Sequence, residues 1–134
     1  MLDKALATAQ AQVPECVAAG YVDMASGLLL AIKTVNSHPA EVIDLVAAAT
    51  GDLFQGKNIV EIEQLFKKSR GLPEDPNSHY FNEIVVFSTN LIHVFLRSRR
   101  YPTHAAVFVA RASANVGMVL VKTRAALTVV EDAV

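Results

Sequence analysis

Apolar positions along this chain repeat with two different periods, and the switches between them mark the elements. In DKALATAQAQ (residues 3–12), Leu2, Leu6, Ala9 and Val13 return at helical spacing. Asp3 can cap the start and Pro14 stops the pattern, which predicts a helix. Two apolar, partly β-branched runs then flank Asp23-Met-Ala-Ser-Gly27. Asp can bond the backbone of the turn and Gly can take a positive φ, so the stretch predicts a hairpin with strands near 16–22 and 28–35.

A second helix is predicted from Pro39 to Gly56, with Ser37 or His38 as its cap and Glu41 near the positive end of its dipole. Its apolar stripe, made of positions 42, 45, 46, 49 and 53 together with 43, 47 and 54, is wider than one contact with a sheet requires. Such width predicts cover from two sides. The next stretch, NIVEIEQLFKKSRG, predicts a short helix with Asn58 and Glu61 as a capping box and with Ile59, Ile62, Leu65 and Phe66 turned inward. GLPEDPNSHY (71–80) reads as a loop.

The last third holds three apolar runs, EIVVFS, LIHVFL and AAVFVA, separated by Thr89-Asn90 and by RSRRYPTH (97–104), which predicts a three-stranded meander. A closing helix follows, capped at Ser113 or Asn115. Val116, Leu120, Leu127, Val130 and Val134 lie on its inner side, with Lys122, Arg124 and Glu131 outside. Alternation within the strands is weak. Consecutive strand residues point to opposite faces, so apolar neighbours require both faces to be dry. The expected fold is therefore α+β, a single domain over 1–134. A hairpin and a meander form one five-stranded antiparallel sheet with helices on both faces, in the order α-β-β-α-(α)-β-β-β-α.

Composition narrows the function. Of 134 residues 52% are hydrophobic and 19% charged, with a net charge of −1, which suits a globular core and argues against a general nucleic-acid binder. The charge is unevenly spread: residues 1–67 hold 4 Lys/Arg against 8 Asp/Glu, and residues 68–134 hold 8 against 5. Arg97, Arg99, Arg100, Lys122 and Arg124 form a candidate patch for an anion or an acidic partner, since guanidinium groups suit carboxylate and phosphate oxygens. The plainer reading is a solvated hairpin tip. The lone Cys16 excludes a disulfide within the chain and points to a reducing, cytoplasmic compartment; no apolar run has the length of a membrane span.

The four histidines lack metal-ligand spacing, and no Walker loop, nucleophile elbow or acidic metal cluster is present. We therefore expect no catalytic residue, no metal and no cofactor: the chain reads as a non-enzyme. His93, inside a strand, is expected to be half-buried and satisfied, and Cys16 to be a small buried hydrophobe.

The element order, with VDMASGLLLA at 22–31 and HAAVFVARASANVGMVLVKTRAAL at 104–127, resembles the roadblock (dynein light chain) superfamily of profilin-like fold, in its bacterial form. Residues 57–80 depart from that pattern, in which the middle helix leads more directly to the third strand. The resemblance implies a sheet order of 2-1-5-4-3. It also implies a homodimer joined through third strands and middle helices, and a role as a regulator of small Ras-like GTPases or as a scaffold binding other proteins. On this chain those expectations fall on Val42, Leu45, Val46, Ala49 and Leu53 of the middle helix and on Ile84, Val86 and Phe87 of the edge. A rival reading is a small-molecule sensor in which residues 57–80 form a lid. Neither reading involves nucleic acid or a membrane.

Overall fold

Five strands join into one antiparallel sheet: β1 (Cys16–Asp23), β2 (Leu28–Thr34), β3 (Glu83–Phe87), β4 (Leu91–Arg97) and β5 (His104–Arg111), in the order β2-β1-β5-β4-β3. The computed structural model describes residues 1–34, 40–72 and 79–134, and from 40 to 45 it describes the backbone alone. The expected cap at Ser37 or His38 lies outside the described residues. Among the described residues four helices accompany the sheet: α1 (Leu2–Gln12), α2 (Ala40–Gln55), α3 (Lys57–Ser69) and α4 (Val116–Glu131). None of the described helices is long and apolar enough to cross a membrane.

The weak alternation in the strands has the expected consequence. On one face Ala106, Phe108, Ile92, Val94 and Tyr21 pack under Leu6 and Ala9 of α1 and Val119, Leu127 and Val130 of α4. On the other face Val107, Phe95 and Val22 pack against Ala47 and Phe54 of α2, with Leu53 and Ile84 at the margin. Adjacent residues of β5 thus serve opposite cores. The hairpin between β1 and β2 closes as its composition requires. Asp23 Oδ1 accepts from the Ala25 amide at 3.0 Å, the Gly27 amide donates to the Asp23 carbonyl at 2.9 Å, and Gly27 takes φ +72°.

Three local expectations are corrected. The capping box at Asn58 does not form: α3 begins at Lys57 with Gly56 as its cap and no side-chain cap bond. One glycine separates α2 from α3, and a Cβ there would stand 2.6 Å from the Asp52 carbonyl oxygen, so the near-continuous junction itself requires glycine. Second, α3 is turned over relative to its apolar pattern. Glu63 and Lys67 are buried while Ile62, Leu65 and Phe66 are exposed. The cause is the Glu63 carboxylate, whose Oε2 accepts from the Tyr80 amide at 2.7 Å and the Phe81 amide at 2.8 Å and so anchors the entry to β3. Third, Glu131 is buried rather than outward, for the reason given next.

Candidate protein interface

RSRRYPTH is a hairpin tip held from beneath. Glu131 Oε2, near the end of α4, accepts from Ser98 Oγ at 2.5 Å, the Arg99 amide at 2.9 Å and the Arg100 amide at 3.1 Å. Three donors offset the burial of one carboxylate. Ser98 Oγ accepts in turn from the Tyr101 amide at 3.1 Å. Nearby, the Tyr21 hydroxyl meets His104 Nδ1 at 3.1 Å, and desolvation pushes the Tyr21 phenol up to about 12.

The predicted basic patch does not assemble. Arg97 is only 4% exposed. Its guanidinium donates to the carbonyls of Phe81 (3.1 Å), Pro102 (3.0 Å) and Phe54 (3.2 Å), and lies 4.9 Å from the centre of the Phe54 ring. It is a strut tying β4 to the end of α2, its donors committed to backbone carbonyls. The clue lies in its parity: Leu91, His93, Phe95 and Arg97 alternate along β4 onto the α2 face, so a strand-end arginine was aimed inward. Arg100 pairs with Asp132 at 2.6 Å, and Arg124 makes a two-pronged bond to Glu83, joining α4 to β3. Arg99 and Lys122 remain as exposed cations with no ion pair among the described residues.

Of the residues expected to mediate self-association, Ile84, Val86 and Phe87 lie on the edge strand β3, and Val46, Ala49 and Leu53 lie on α2. β3 is an edge strand; its five residues pair with β4 without a bulge, from Glu83↔Leu96 to Phe87↔Ile92. Its outer edge carries no Lys or Pro, and Val86 and Phe87 are 41% and 62% exposed. The opposite edge differs: β2 breaks register against β1 between Tyr21 and Val22 and carries Lys33. Bulges and charges are the usual guards of a free edge; β2 has both, whereas β3 has no bulge and a single charge, Glu83, at its first residue.

Ile84 lies half-buried against the same core as Leu53, and Val86, two residues on, shares its face. Along the same face Val46, at 39% exposure, and exposed Ala49 of α2 border an open apolar groove of about 530 Å³ whose floor includes His93, Phe95, Val107 and Val109. Val42 and Leu45 belong to α2, but their side chains lie outside the described residues. Neither the described part of α3 nor residues 79 and 80 lines this groove; the rest of the lid expected from 57–80 lies outside the described residues. His93 is half-buried and its Nε2 lies 3.2 Å from Ser88 Oγ, with its pKa lowered by desolvation. Cys16 is buried, which pushes its thiol pKa up.

No protein-family model matches the sequence, and no curated protein does. Solved structures do. MglB of Myxococcus xanthus superposes with a TM-score of 0.70 over 98% of this chain and 93% of its own, at 12% identity. A structure described as MglB with tetrameric arrangement gives 0.69 over 99% and 90%, at 17% identity. A Roadblock/LC7 domain from Streptomyces avermitilis gives 0.64 over 98% and 95%, at 11% identity. At such identities the likeness shows the fold, and the fold is the one the sequence resembled.

Proposed function

We propose that this chain, built on the roadblock fold, is a non-enzymatic regulatory or scaffold protein. It self-associates through β3 and the flank of α2 and binds a protein partner, a small Ras-like GTPase foremost. The observation that carries this reading is the flat, bulge-free β3 edge with Val86 and Phe87 exposed on it, together with the exposed flank of α2 at Val46 and Ala49. Edge-to-edge pairing would satisfy the outward amides and carbonyls of β3. A second copy's α2 would then cover the groove beside Val46 and Ala49. Regulation of a GTPase requires different affinities for its two nucleotide states.

The test is binding of purified Ras-like GTPases from the same genome, each loaded with GDP or with a non-hydrolysable GTP analogue. Binding that differs between the two states supports the reading; equal or absent binding across the set removes the GTPase partner from it. The groove also favours a second reading, a small-molecule sensor. A thermal-shift screen against nucleotides and metabolites separates the two. At a hundred times its dissociation constant a true ligand adds about 2.7 kcal/mol, whereas a groove covered by a partner copy gives a flat response.

A further inference from the structure

Helix α3, the segment that departs from the family pattern, is built inside out. Its charged Glu63 and Lys67 face the protein, while Ile62, Leu65 and Phe66 face outward, with Leu65 67% exposed. These three positions are neighbours on one helical face. Phe66 is not loosely held: its ring stacks on Tyr80, centroids 5.4 Å apart, and meets Phe81 edge-on. An ordered apolar ridge in solvent marks a contact surface.

The charges beside the ridge identify what fits it. Glu61 lies four residues before Leu65 and Lys68 three after it, and both are exposed. Rotating the helix by a half-turn about an axis through Leu65 brings Leu65 onto its own copy and sets each Glu61 level with the other copy's Ser69, one residue (about 1.5 Å of rise) from its Lys68. The ridge is thus complementary to itself in charge and in shape of pattern, as a two-fold contact demands. A foreign acidic helix would match Lys68 but meet Glu61 with like charge.

We propose that α3 is a second self-association surface, packing antiparallel against α3 of another copy about a two-fold axis at Leu65. This contact is separate from the one through β3 and stands or falls without it. Used together, two different two-fold contacts carry the assembly beyond a dimer. A single short ridge falls in the small, transient class of interface, below about 1,200 Å², so the larger species should depend on concentration.

The experiment is sedimentation velocity on the full chain up to about 0.5 mM, comparing wild type with Leu65→Glu, Val86→Lys and the charge variants Glu61→Lys, Lys68→Glu and their double. Leu65 and Val86 are exposed, so folding should survive, and circular dichroism checks that it does. We expect wild type to pass from dimer to tetramer, Leu65→Glu to stop at dimer, and Val86→Lys to keep a dimer made by α3 alone. Each single charge variant should weaken the second step at least fivefold, and the double should restore it. The proposal is overturned if Leu65→Glu leaves the distribution unchanged, or if wild type never exceeds a dimer that Val86→Lys abolishes. A wild-type dimer abolished by Leu65→Glu but untouched by Val86→Lys would instead keep the α3 contact and remove the one through β3.

Discussion

Replacing Arg97 by methionine tests the strut directly. The substitution keeps most of the side-chain volume and removes three charge-assisted hydrogen bonds, those to Phe81, Pro102 and Phe54, and the stacking on the Phe54 ring. At about 1.5–3 kcal/mol each the three bonds set an upper range near 4.5–9 kcal/mol. Two terms reduce it. The variant no longer desolvates a cation, and the carbonyls of half-exposed Phe81 and Pro102 regain water, leaving the Phe54 carbonyl at the buried end of α2 without its donor. A net loss of about 3–4 kcal/mol follows. With an unfolding entropy of roughly 2.1 cal/mol/K per residue, this shifts Tm down by about 10–15 °C. Calorimetry, with urea unfolding in parallel, measures both quantities. Arg99→Met, two residues away and exposed, should change stability by no more than about 0.5 kcal/mol. If Arg97→Met costs no more than Arg99→Met, the guanidinium is not a strut and the sequence-level patch should be reconsidered.

Two further predictions follow from the same region. Glu131→Ala strips the 97–104 tip of its acceptor and should cost about 2–4 kcal/mol in urea unfolding, while Glu131→Gln, which keeps an acceptor oxygen, should cost less than half as much. Because Tyr21 ionises at about 12 when folded and near 10 when unfolded, the unfolded chain releases that proton first. Its contribution is therefore intact below pH 10 and lost between pH 10 and 12 at about 1.4 kcal/mol per pH unit. Tyr21→Phe should show a correspondingly shallower decline over that window, and an identical slope in both proteins would contradict the assignment.

The fold was legible wherever structure is set by neighbours in sequence. The Asp23–Gly27 turn, the meander of 83–111, and the two dry faces implied by VVF and VFV each rest on local patterning, and Asn115 caps α4 by accepting from the Met118 amide as its position suggested. The failures share a different cause. Glu63 turns inward for amides 17 and 18 residues away, and Glu131 for a loop about 32 residues away. Nothing near either residue announces those donors, so a reading that places charges outside inverts α3 and misses the anchor of RSRRYPTH. Arg97 is intermediate: its partners are distant, yet strand parity already aimed it at α2. The proposed interaction surface was half legible. The apolar width of α2 and the bare run Glu83–Ser88 pointed to it, whereas the contrast between a bulged β2 and a bulge-free β3 needed the register of the sheet.

The central claim, that the open β3 edge joins two copies, is tested most directly by sedimentation equilibrium of wild type against Val86→Lys at low micromolar concentration, below the range in which α3 contacts should form. A charged lysine on a flat edge strand is the device by which such edges are kept apart. Wild type should be a dimer and the variant a folded monomer. A monomeric wild type, or a variant that remains fully dimeric, would contradict that claim.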